Sequence, residues 1–186
     1  MGAFNDILAT TGPNMGGLSD HLYIVPIADI DVTALAALDD PTDEKTVAQA
    51  IPLLTDKKWF KWYFTKGLDA KLSYPLVGER DGRSRDVMVD MKQPRMIAAN
   101  ERVYDIVMNV PVAIAVKDAE GSMRLCGINR REDGTLAVDF PMYMETDDAN
   151  TGGNATEKKG HTIQFKGECP HTPLFHTAAL DVTGAA

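Results

Sequence analysis

The chain has 186 residues, 44% of them apolar, two cysteines and a formal net charge of −8. That length suffices for one domain with a substantial core. No apolar run approaches the ~20 residues of a bilayer-spanning helix, and no basic footprint exists to grip phosphates. The charge is regional. Asp6, Asp20, Asp29, Asp31, Asp39, Asp40, Asp43 and Glu44 have no Lys or Arg among them and equal the whole −8, because the other 19 acids and 19 bases cancel. Such a segment is a solvated face, or a surface that repels nucleic acid or meets a basic neighbour.

In chain order, the N-terminus has neither the basic nor the apolar region of a signal peptide. Asp6 stands where myristoylation needs Ser or Thr. Residues 1–19, with Gly12-Pro13-Asn14-Met15-Gly16-Gly17, read as a flexible arm on a single domain, 1–186. A strand is expected over 21–28, bent or at an edge because of Pro26. A polar loop with one helical turn follows over 29–44, then a weak apolar stretch over 47–54. Trp59, Phe60, Trp62, Tyr63 and Phe64 make a strand with aromatics on both faces. It is buried on both sides or lies at a subunit contact.

Next, Leu72, Tyr74 and Leu76 alternate with polar residues, and Val87, Val89 and Met91 do so after a Gly-containing turn over 79–85. Strict alternation around such a turn predicts a long antiparallel hairpin, its apolar set facing inward. Ser73, Asp86, Met88 and Asp90 then point the other way. Residues 96–108 predict the one convincing helix, with Met96, Ala99, Val103, Ile106 and Val107 on its inward face. Strands are expected over 110–117, 123–128, 136–144 and 161–168, a loop over 147–160, and a short run from Leu174. The fold class is therefore mainly β (α+β): an antiparallel β-sandwich or partial barrel with one flanking helix and a long hairpin.

Motifs for chemistry are sparse. Neither a nucleophile elbow nor a phosphate loop is present. Asp29 and Asp31 lack neighbours that would tune an acid/base pair. His161, Cys169, His171 and His176 are the best zinc candidates, but their spacing fits no standard finger, so no metal, no cofactor and no catalytic residue are expected. Cys126 and Cys169 read as reduced thiols, with pairing left open.

The order of features from Lys58 onward resembles one family. Lys58-Trp59-Phe60-Lys61-Trp62-Tyr63-Phe64-Thr65 runs into the long hairpin ending at Met91. A helix feeds Val112-Ala113-Ile114-Ala115-Val116-Lys117-Asp118-Ala119-Glu120-Gly121, and Ser122-Met123-Arg124-Leu125-Cys126-Gly127 looks like an "arginine-leucine-x-glycine" strand. Gly160-His161-Thr162-Ile163-Gln164-Phe165-Lys166-Gly167-Glu168 is similar to a "tyrosine-threonine-leucine-x-phenylalanine-x-glycine-glutamate" strand, with Phe175 as the aromatic that follows. This set resembles the tail-tube (major tail) proteins of long-tailed bacteriophages and prophages. The acidic first 44 residues match it least.

The resemblance implies a non-enzymatic virion protein whose copies form hexameric rings, their inner sheets closing into one barrel. Rings stack into the conduit for DNA ejection. Partners would be the chain itself, other tail proteins, and genomic DNA passing through the lumen without specific binding, with no membrane. The chain would be made in the host bacterial cytoplasm. Ser73, Asp86, Met88 and Asp90 become candidate lumen-facing residues, the two aspartates giving the channel wall negative charge. Gly12, Asn14, Trp59, Trp62, Arg83 and Arg85 become candidate inter-subunit contacts. The alternatives are a tail-completion or connector ring protein of the same plan, and a small-ligand- or metal-binding β-barrel.

Overall fold

The strongest alternation, in residues 84–94, sets the architecture. A computed structural model describes residues 17–38, 44–64, 70–152 and 159–183. Strand β1 (Leu18–Pro26) ends in a 3₁₀ turn (Ile27–Asp29) and helix α1 (Val32–Ala36), which Asp31 caps by accepting from the Thr33 and Ala34 N–H groups. Then come β2 (Thr46–Val47), β3 (Phe60–Tyr63), β4 (Lys71–Ser73), β5 (Leu76–Val77) and β6 (Ser84–Pro94). Helix α2 (Ala98–Val107) leads to β7 (Val112–Asp118), β8 (Met123–Cys126), β9 (Asn129–Arg130) and β10 (Leu136–Ala137). Last are β11 (Tyr143–Asn150), β12 (Gly160–Cys169) and β13 (Leu174–His176).

Two sheets result. One has the order β2-β13-β8-β7-β1-β3. The other runs β11-β12-β6, with β4 and β5 both on the far side of β6. Among the described strands, every pairing is antiparallel except that of β13 with β2. Among the described residues, neither large sheet closes into a barrel.

Period two explains how the sheets face each other. Val87, Val89 and Met91 of β6, and Ile163 and Phe165 of β12, are buried together with Leu22 and Ile24 of β1 and with Val112, Ile114 and Val116 of β7. Each buried aliphatic or aromatic side chain contributes ~1.5–3 kcal/mol. This is the sandwich core. A second core covers the opposite face of the six-stranded sheet: Val25, Ala113, Ala115 and Leu125 pack under Ile30, Leu35, Val47, Ile51 and Leu136. Strand β7 is therefore buried on both faces from Val112 to Val116.

The long hairpin forms as its alternation predicts, with one exception: Leu76 is 51% exposed. Its turn uses Asp81 and Gly78 in left-handed conformation, and a Cβ on Gly78 would lie 2.6 Å from the Gly82 carbonyl. Asp118 closes the β7–β8 turn by accepting from the Glu120 and Ser122 N–H groups.

Other expectations need correction. The first strand ends at Pro26, which lacks the N–H to continue the ladder. The strand expected over 136–144 is two elements, β10 and β11, separated by the segment holding Pro141. The loop expected from residue 147 is still strand to Asn150, because β12 supplies a partner for each residue. Helix α2 is turned differently from its aliphatic pattern. Tyr104 is its buried residue, while Val103 and Ile106 are 40% and 61% exposed. The large ring of Tyr104 fills the gap beside Trp62 and His161, and that volume decides the orientation.

Candidate functional site

The outer face of the five-stranded sheet gathers the residues that the hairpin pattern turned outward. Pairing aligns them in rows: Lys71, Asp90 and Gln164 in one, Ser73, Met88, Lys166 and Tyr143 in the next. Ser73, Asp86, Met88 and Asp90 all point away from the core, as period two requires. The two aspartates are not unpaired charges, however. Lys166 Nζ lies 3.0 Å from Asp86, and Lys71 Nζ lies 3.4 Å from Asp90. Gln164 donates to Asp90 at 2.6 Å. The ammonium of Lys166 is held above its usual range, first by its hydrogen bond to Asp86 and then by that carboxylate's charge. Lysines on neighbouring strands thus pair with both Asp86 and Asp90, while Glu168 on β12 stands directly across from Asp86 and adds a further carboxylate to this face.

The edges of this sheet are unlike. Strand β11 is an outer strand exposed along nearly its whole length, and Glu145, Asp147 and Asp148 lie on it with no Lys or Arg. The opposite side, β4, β5 and the turn into β6, carries Lys71, Arg80, Arg83 and Arg85, which outnumber Glu79 and Asp81. Arg83 is exposed; Arg85 donates to the Tyr74 carbonyl at 3.2 Å and lies 6.0 Å from the Tyr74 ring. Exposed strand edges are templates for pairing with another chain.

The aromatic strand β3 is the free edge of the six-stranded sheet. It divides its side chains in a way that the sequence left open. Trp59 and Phe64, which flank it, are buried, so Trp59 is a core residue and not a surface contact. Trp62 is half-buried between Tyr104 and Phe165. The aromatics left outward are Phe60 and Tyr63, 44% and 52% exposed. Sequence reasoning missed this pair because both faces of the strand read alike. An open groove of about 610 Å³ lies beside Tyr63, bounded by Arg95, Ile97, Asn100 and Lys159. Gly12 and Asn14 lie outside the described residues.

The zinc candidates are dispersed. His161 and Cys169 stand eight positions apart on β12, about 26 Å along an extended strand. His176 is on the other sheet, with Nε2 at 3.2 Å from the Gln49 carbonyl. Cys126 and Cys169 are free thiols; burial pushes Cys126 up to about 12. A cavity of about 240 Å³ is lined by Lys45, Arg130, Arg131, Cys169 and His171. Its arginines are committed: Arg131 forks onto Asp139 at 2.8 and 2.6 Å, and Arg130 donates to the Gly134 and Thr46 carbonyls. Among the described residues, no three His, Cys, Asp or Glu side chains converge as a metal site.

The chain matches no protein-family model, and neither a curated protein nor a solved structure is significantly similar to it.

Proposed function

We propose that this chain is a structural protein of a phage virion, which self-assembles into stacked, hexameric rings as the tail tube. The observation that carries the reading is the pair of unlike free edges on one sheet. Acidic β11 of one copy fits the basic β4–β5 side of the next, and this head-to-tail pairing closes a ring. Closure would satisfy the backbone groups that both edges leave open. The ordered sequence features that resemble tail-tube proteins supply the second support.

On this reading the protein is not an enzyme and needs no cofactor. Its partners are other copies, neighbouring tail proteins, and DNA that slides through without specific contacts. A face on which lysines and aspartates offset each other would neither hold nor strongly repel a phosphate chain. The protein acts in the virion tail after synthesis in the host cytoplasm. Electron microscopy of the purified chain tests this. Tubes support the reading, single rings favour a connector protein, and monomers at every concentration overturn both.

A further inference from the structure

We propose that His161 is the proton-binding site of a clamp that ties edge strand β11 to helix α2. The side chain sits on β12, 4% exposed, between the two elements. Its Nδ1 lies 2.7 Å from Asp147 Oδ1 on β11. An ionised carboxylate only accepts, so the ring proton of neutral His161 resides on Nδ1. Nε2 is then a bare lone pair. It is buried, has no hydrogen-bond partner among the described residues, and stands 3.9 Å from Glu101 Oε1 on α2. An acceptor facing an acceptor is a mismatch that one proton removes. A proton on Nε2 turns that nitrogen into a donor toward Glu101 and makes the ring a cation flanked by carboxylates from two elements.

Every element packed on the ring contributes to this arrangement. Strand β11 supplies Asp147, and α2 supplies Glu101 and the Tyr104 ring, whose centroid is 4.8 Å from that of His161. Strand β6 places uncharged Gln93 opposite. Burial first, then Asp147 and Glu101, push the Tyr104 hydroxyl up to about 12, so both carboxylates act on the same small volume. Imidazole is the side chain that ordinarily changes charge between pH 5 and 8. Proton uptake would draw α2 and β11 together, and by linkage anything that fixes these two elements strengthens proton binding. Resting on the assembly reading above, the clamp would make the ring-forming edge firmer in mild acid.

Side-chain nitrogen NMR of the labelled chain across pH 5–8 tests the clamp. Nδ1 of His161 stays protonated throughout, and Nε2 gains its proton as the pH falls. Glu101→Gln on the exposed helix face keeps the fold, which amide spectra check, and weakens proton binding about two- to fivefold, the range of a pair with one exposed member. Nε2 unprotonated down to pH 5, or identical titration in E101Q, overturns the proposal. Assembly followed at both ends of the range separates the two readings. A pH dependence that E101Q reduces supports the regulatory role. A titrating clamp in a chain that never assembles leaves the clamp standing and removes the tail-tube reading.

Discussion

Trp62 and Tyr104 meet nearly edge-on, ring centroids 5.6 Å apart and planes at 62°. This contact joins the free edge β3 to helix α2, and the ring of Phe165 on β12 also packs on Trp62, centroids 5.9 Å apart. The helix is thus seated by one aromatic residue. Tyr104→Ala should lower stability by about 3 kcal/mol and the melting temperature by roughly 6–12 °C for a chain of this size. Ile106→Ala and Val103→Ala should stay within about 0.5 kcal/mol of the parent in the monomer. Thermal melts of the three variants check this. Equal losses for Ile106 and Tyr104 would mean that the helix is turned the other way.

That contrast also marks where the sequence was legible. Val87, Val89 and Met91 follow the period of a half-buried strand without interruption, so β6 and its inward face were readable directly. The second core was not. Ile30, Leu35, Val47 and Ile51 come from turns and two-residue strands with no shared period, and only tertiary contact makes them a layer. In α2 the aliphatic periodicity pointed to Val103 and Ile106, but a single large ring outweighed it. The acidic run in β11 reads as loop by composition and becomes a strand because β12 offers register partners. Outward Ser73, Asp86, Met88 and Asp90 were legible; their lysine and glutamine neighbours across the sheet were not, since strand order is invisible in one dimension.

The thiols should differ sharply. Burial pushes Cys126 from its ordinary 9.0 up to about 12, and burial also raises Cys169, which is only half-buried at the end of β12. A thiol reagent at pH 8 should modify Cys169 slowly in the folded chain, and Cys126 only in denaturant. The folded state keeps a proton that the unfolded state releases, so Cys126 contributes stability in full below about pH 9. That contribution is lost as the pH rises from 9 toward 12. Equal reaction rates at the two thiols in the native protein would contradict the burial of Cys126.

Substitution of Asp86 should separate pairing from bulk charge. Asp86→Asn removes an ion pair whose lysine remains in contact with solvent, and the melting temperature should barely move. The comparison is made in a Glu168→Gln background, which removes the carboxylate directly across from position 86; there Asp86→Lys places a second ammonium diagonal to Lys166 on the adjacent strand. It should destabilise more than the Asn variant, and added salt should recover much of the difference. Identical melting of both variants at low salt would show that Lys166 does not face this position.

The decisive assembly prediction uses the two edges. Glu145 and Asp148 lie exposed on β11, away from the Asp147–His161 contact. Glu145→Lys with Asp148→Lys makes that edge basic, and it then meets the equally basic Arg80 and Arg83 of a neighbouring copy. Surface charge changes have little effect on a monomer's fold, whereas like charges across an interface suppress association. The double variant should therefore melt like the parent and fail to form rings or tubes. Arg80→Glu with Arg83→Glu should behave in the same way on its own, because two acidic edges now meet. A one-to-one mixture of the two variants should recover rings and tubes, since one chain has two basic edges and the other two acidic ones, and every junction in an alternating hexamer then pairs opposite charges. Light scattering and microscopy would report both results. Tubes from either variant alone, at the parent's concentration dependence, would eliminate the edge-pairing model, and a mixture that stays unassembled would show that these four charges do not meet.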